Sequence, residues 1–241
     1  MSGHGQFCPV AVASEIFAQR WTPLILREMF AGATRFNDLM RGLPRISRTT
    51  LTQRLRALEH AGVVSCTTPG DGEHTCYQLT EAGTELRDVI RELGAWGQRW
   101  TARFDAQNLD ADFLMWNLRR RLATDRLPDA HTVVRFNFFG LPPGYRRGRM
   151  FWLLIDKREV DLCLKDPGSE VDLYVEADLA AFAQVWLGDL TLANALRKRA
   201  IRLTGRRDLV SAFPAWLLLS KFADVPRPPM RHRVDAGAQV A

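Results

Sequence analysis

The sequence predicts an α+β protein in two parts, a helical module closed by a short hairpin and then a strand-rich module with helices of its own. Three observations carry that expectation. At 241 residues the chain is long enough for two ordinary domains. Apolar residues recur at helical spacing up to about residue 60 and again from Thr80 to Phe104, whereas four runs after His131 are rich in Val, Leu, Phe and Tyr and separated by turn residues. Between these parts, the polar segment DAQNLDAD (105–112) reads as a boundary. The expected domains are therefore 1–108 and 109–225, with 226–241 a tail of prolines and arginines that lacks a core pattern.

Residues 9–19 open with a proline and continue as an amphipathic helix. Thr22 and Pro23 supply a cap and a first-turn proline for a second helix that ends at Gly32. A short helix, FNDLMRGL, precedes Ser47, which caps a helix from about Arg48 to Ala61, with Gly62 just past its end. VVSCTT and TCYQLT then form two strands around an Asp71-Gly72 turn. Thr80 caps a long helix, Glu81 to Phe104, whose stripe of Leu86, Ile90, Leu93, Trp96 and Trp100 calls for a subunit partner. In the second module VVRFNFFG, MFWLLID, EVDLCLK and EVDLYVE read as strands. In the last two, Val160, Leu162, Leu164, Val171, Leu173 and Val175 form an apolar face opposite Asp161, Cys163, Lys165, Asp172, Tyr174 and Glu176. Asp178 caps a helix to about Leu187, another follows Leu190, and a last one ends near Trp216.

Composition narrows the function. With 46% hydrophobic and 25% charged residues, wholesale disorder and a disulfide-packed module are excluded. No apolar run approaches the roughly 18 residues that span a bilayer. The first residues carry no basic stretch followed by a hydrophobic one, so a cytoplasmic protein without membrane insertion is expected. The net charge of +6 rests on arginine, with only four lysines, and arginine suits bidentate contact with phosphate and guanine. Neither His131 nor Asp156, Asp161 and Asp172 stands in a catalytic or metal-ligating pattern, no CxxC is present, and the glycines form no phosphate-cradling loop. The expectation is a non-enzyme with no catalytic residue, metal or cofactor.

The order helix, helix, short helix, capped helix and hairpin is that of a winged helix-turn-helix, with the helix from Arg48 as recognition helix. Leu51, Leu55 and Leu58 share one of its faces while Thr49, Gln53, Arg56 and His60 share the other. Thr49, Thr52 and Gln53 are the base-edge candidates and Arg56 reaches guanine or phosphate. Arg35, Arg41, Arg45, Ser47, Arg48 and Arg54 surround them, and between Arg35 and Arg56 six arginines stand against one acid, Asp38.

These residues resemble the HxlR-type bacterial transcription regulators. The likeness is carried by CPV (8–10), RWTPLILREMFAG (20–32), RFNDLMRGLPRIS (35–47), LTQRLRALEHAGVV (51–64), YQLTEAG (77–83) and GAWGQRW (94–100). The resemblance implies a homodimer on double-stranded operator DNA, with the helices at both ends of the module forming the interface. It departs at the wing tip, where Asp71 and Glu73 are acidic and only His74 is a candidate phosphate contact. The resemblance also implies a sensor role open to some members, in which a cysteine just before the first helix responds to oxidants or electrophiles, and Cys8 holds that position. The alternative for Cys8 is a small buried residue near the dimer interface. Cys66 and Cys76 either face each other across the hairpin or remain two reduced thiols.

The second module resembles the sterol carrier protein type two fold through MFWLLID (150–156), EVDLCLKDPGSEVDLYVEADLAAFAQVWLGD (159–189) and AIRLTGRRDLVSAF (200–213). That resemblance implies an apolar tunnel for a small hydrophobic effector. Phe136, Phe138, Trp152, Leu154, Phe182, Trp186, Leu192 and Trp216 either line it or fill a solid core. The leading reading is a homodimeric regulator whose DNA affinity responds to that effector. The alternatives are a sensor acting through Cys8, or a hydrophobic-ligand carrier with a vestigial DNA-binding module.

Overall fold

The computed structural model describes residues 4–67, 75–101 and 108–227. The chain divides into two compact units, Met1–Gly94 and Ala95–Ala241, so the division falls inside a helix and not at the polar segment before residue 109. That helix contributes to both units: its last turn hydrogen-bonds within the second, where Gln98 Nε2 donates to Leu187 O at 3.2 Å.

The first unit runs α1 (Pro9–Phe17), α2 (Thr22–Phe30), α3 (Phe36–Gly42), α4 (Arg48–His60), β1 (Val64–Thr67), β2 (Cys76–Leu79) and α5 (Glu81–Trp100). Ser47 caps α4 by accepting from Thr50 N at 3.1 Å, and Gly62 takes φ +70° where the helix must turn away. Thr80 caps α5 by accepting from Gly83 N at 3.1 Å while donating to Gly62 O at 2.6 Å. The cap expected at Thr22 is displaced. Thr22 is already helical, and Trp21 holds the cap position in the left-handed region at φ 79°, a conformation that costs a non-glycine residue about 1–2 kcal/mol. The Trp21 ring packs against the core, whose buried members include Ile25, Leu26, Leu39, Leu51, Leu55, Leu58 and Val64, and each buried leucine contributes roughly 1.5–3 kcal/mol. β1 pairs antiparallel with β2, and Tyr77 N donates to Thr34 O at 2.8 Å, which ties the segment before α3 to the hairpin. Asp71, Glu73, His74 and Phe104 lie outside the described residues.

A carboxylate is buried where α2 meets α3. Glu28 is fully buried and accepts from Arg27 Nε at 3.0 Å and Nη2 at 2.9 Å, and Arg27 Nη2 also donates to Gly42 O at 3.2 Å. The close approach requires glycine at 42, because a Cβ there would overlap the Glu28 carboxylate.

The second unit runs α6 (Ala111–Arg119), a short 3-10 turn, β3 (Thr132–Phe139), β4 (Met150–Asp156), β5 (Glu159–Cys163), β6 (Leu173–Asp178), α7 (Leu179–Trp186), α8 (Leu192–Arg197), β7 (Ile201–Gly205) and α9 (Arg207–Trp216). Its sheet has the order β5-β4-β3-β6-β7, parallel only between β3 and β6. β7 is a strand that the sequence reading lacks. Leu164, expected on the apolar face, lies past the end of β5 and is 61% exposed, because the chain leaves the sheet before it.

α6 to α9 pack on one sheet face over Val134, Phe136, Phe138, Phe151, Leu153 and Val175. The aromatic rings of this core sit at centroid separations from 5.7 Å (Phe138–Phe182) to 6.2 Å (Phe136–Phe138). Asp110 caps α6, and the Tyr145 hydroxyl accepts from Ala111 N at 3.0 Å. Burial first, then the nearby Asp110 and Asp112 charges, push the Tyr145 phenol up to about 12.

The Glu28–Gly42 contact predicts that Gly42→Ala destabilises the chain by roughly 1–3 kcal/mol through overpacking. Urea titration checks this as a lowered midpoint; an unchanged midpoint would contradict the contact.

Candidate nucleic-acid interface

α4 is amphipathic in the structure as in the sequence. Leu51, Leu55 and Leu58 are buried at 0%, 1% and 2% exposure, while Thr49, Gln53, Arg56 and His60 are exposed on the other side. Burial of the leucines fixes the rotation of the helix, so the polar face is presented outward without further support. Arg35, Arg45, Ser47 and Arg48 are exposed at the entrance to this face.

Three expected contacts are modified by local bonding. Ser47 Oγ is engaged with Thr50, both with its backbone N–H and, at 2.7 Å, with its hydroxyl. Thr52 is half-buried and its hydroxyl donates to Arg48 O at 3.0 Å, leaving only its acceptor lone pairs for a base. Arg54 does not join the arginines around the outer face: it is half-buried, and its Nη1 donates to Gln19 Oε1 at 3.2 Å, linking α4 to the residues just after α1.

The structure also assembles a feature that no sequence pattern announced. Arg35, Phe36, Asn37, Asp38, Arg41, Arg48 and Thr75 line a cleft of about 400 Å³ beside the start of α4. The Arg48 guanidinium lies 4.9 Å from the centre of the Phe36 ring, which orients a charge that is otherwise on a flexible stem. Arg41 pairs with Asp38 at 3.6 Å. The cleft is thus lined by three arginines and one acid. The only sequence signal was the arginine density between 35 and 56; the part played by Phe36 depends on a contact between two helices.

Of the α5 stripe, Leu86 and Ile90 pack against the first unit's own core, whereas Leu93 and Trp96 are 45% and 57% exposed and Trp100 is half-buried. On α1, Val10 and Val12 are exposed, and Phe7 before it is fully so. Cys8 is exposed, and the backbone N–H groups of Ala11 and Val10 at the start of α1 hold its thiol below the ordinary range. Cys66 and Cys76 are both free and are not cross-strand partners, since Cys66 stands opposite Tyr77 and Cys76 opposite Thr67.

The eight residues expected around a ligand do not face one space. Phe136, Phe138, Phe182 and Trp216 are packed in the helix-covered core, with Trp186 and Leu192 at its margin. Trp152 and Leu154 alternate with the core residues Phe151, Leu153 and Ile155, and so project from the other sheet face. Among the described residues no group of three or more His, Cys, Asp or Glu is placed to hold a metal, and no helix is long and apolar enough to cross a membrane.

Known proteins match the N-terminal part of the chain. A model of the HxlR-like helix-turn-helix family matches residues 16–105. An HTH-type transcriptional regulator of Mycobacterium tuberculosis is 43% identical over 95 residues, covering 39% of this chain and 60% of that one, so the chain spans about three fifths of the length of that relative. The HTH-type transcriptional regulators YvaP and YodB of Bacillus subtilis are 32% and 33% identical over 97 and 95 residues, each covering 39% of this chain and respectively 90% and 85% of theirs. The solved structure of the reduced form of YodB is 33% identical over 39% of this chain and 93% of that chain, with a TM-score of 0.35. Most of YvaP and YodB is thus covered by this chain, and through residues 16–105 the chain belongs to the HxlR-like helix-turn-helix family.

Proposed function

We propose that the chain is a transcription regulator that binds double-stranded operator DNA as a homodimer, with α4 in the major groove and its DNA affinity set by a small hydrophobic effector in the second unit. One observation carries the DNA reading: a helix whose buried leucines turn Thr49, Gln53 and Arg56 outward, with arginines at its entrance. Family membership supports it, since the relatives named above are HTH-type transcriptional regulators. The homodimer reading draws on the exposed apolar residues of α1 and α5, chiefly Val10, Val12, Leu93 and Trp96. The effector reading rests on the second unit, which exceeds what the family's DNA-binding part needs and whose fold we compare with sterol carrier proteins of type two. His74 remains a candidate phosphate contact from the sequence alone.

A second reading is favoured by the exposed Cys8 thiol and the backbone N–H groups that stabilise its thiolate. In it, oxidation or an electrophile at Cys8 changes DNA affinity and the second unit serves assembly.

The DNA reading predicts that Gln53→Ala and Arg56→Ala each weaken binding to DNA from upstream of the chain's own gene, by roughly 1–3 kcal/mol per lost bidentate contact. Arg45→Ala should weaken specific and non-specific DNA alike and flatten the salt dependence. A mobility-shift titration across salt measures both effects, and parent-like binding by all three variants would contradict the reading.

The thiol geometry predicts that Cys8 alkylates with a midpoint at lower pH than Cys163, whose thiol is raised by burial and by the Asp161 charge. The sign follows from the thiolate being the nucleophile: a lowered pKa gives more thiolate at neutral pH. Peptide mass mapping after limited iodoacetamide treatment measures this, and equal rates at the two sites would remove the basis for a sensor at Cys8.

A further inference from the structure

The sheet face opposite the helix-covered core carries a row of side chains that the readings above leave unused. Strand pairing sets Cys163 beside Trp152, Trp152 beside Arg135, and Arg135 beside Tyr174, and residues directly opposite one another project to the same face. The Trp152 side chain is only 5% exposed, and its indole Nε1 is buried without a hydrogen-bond partner among the described residues. The same holds for Nε of half-buried Arg135, whose guanidinium lies 5.2 Å from the centre of the Tyr174 ring. Arg135 makes no ion pair among the described residues. Carboxylates on this face are engaged elsewhere: Glu176 pairs with Arg202 at 2.9 Å, Asp172 accepts from Val133 N at 2.9 Å and pairs with Arg206 at 3.6 Å, and Asp161, opposite Leu154, lies 3.9 Å from Arg119.

Two buried donors on adjacent strands, one of them cationic, are costly to leave without an acceptor. We propose that this row is a binding site for an aromatic carboxylate. The guanidinium and the indole N–H donate to the two carboxylate oxygens. The half-buried Leu154 side chain on the same face offers apolar contact to the ring. Because the neighbouring Arg202 and Arg206 are paired with Glu176 and Asp172, the planar Arg135 fork suits the two oxygens of a flat carboxylate. The site deepens the effector half of the proposed function by naming a ligand class and a sheet face for it.

The test is calorimetric titration of the full chain, in the absence of DNA, with benzoate and separately with benzamide, its neutral counterpart of the same shape. Because no DNA is present, failure of the operator reading leaves the result intact, and failure here leaves the operator reading intact. Benzoate is expected to bind and benzamide to bind at least about tenfold more weakly. Arg135→Gln should lose about tenfold or more in benzoate affinity and Arg135→Lys should keep part of it, since the charge stays and the fork is lost. Trp152→Phe, which removes the indole N–H and keeps an aromatic ring, should cost a few-fold. Absence of benzoate binding to the parent, equal affinity for benzamide, or parent-like benzoate binding by a folded Trp152→Phe and Arg135→Gln pair would overturn the proposal.

Discussion

The geometry of the first unit depends on one buried carboxylate. Glu28 sits in α2 with no exposure to water, and Arg27 bridges its side chain to the carbonyl of Gly42 at the end of α3. The same residue's backbone carbonyl accepts from Ala31 and Ala33, closing α2. A single position therefore ends one helix and sets the distance to the next. The Arg27 side chain is 31% exposed and that of Glu28 is buried, so the desolvation cost at this junction falls on the carboxylate. From Gly42 only a short segment leads to Ser47, so the start of α4 is placed by the α2–α3 junction. The rotation of α4 is then fixed by Leu51, Leu55 and Leu58.

Within that frame the arginines divide by what they touch. Arg48 rests on Phe36 and Arg41 pairs with Asp38, both beside the cleft, while Arg54 turns inward to Gln19. Counting positive charge along the segment would credit all of them to DNA contact. Geometry assigns one to holding α4 against the residues that follow α1. The second unit shows the same division on a sheet: one face is a close-packed aromatic core, and the other carries Arg135 and Trp152 with donors unmet.

Much of the fold was legible because local rules decided it. Ser47, Thr80 and Asp178 cap the helices that their positions predicted, each accepting from a backbone N–H three residues on. The alternation of β6 was readable, with Leu173, Val175 and Ala177 buried. MFWLLID was readable as a strand but not as two faces, because it is apolar at both parities; Trp152 and Leu154 were grouped with Phe136 and Phe138 although they project oppositely. β7 was missed because it lies at the sheet edge and buries little beyond Ile201, so its strand character comes from pairing with β6. Trp21 was missed because its left-handed backbone is imposed by packing of the ring against the core.

The central claim is that α4 reads DNA as one of a symmetric pair. Hydroxyl-radical footprinting on DNA from upstream of the chain's own gene tests it most directly. The account predicts two protected patches related by a two-fold axis, their centres about one helical turn or a multiple of it apart. A single patch, or none under low-salt conditions that favour binding, would contradict it.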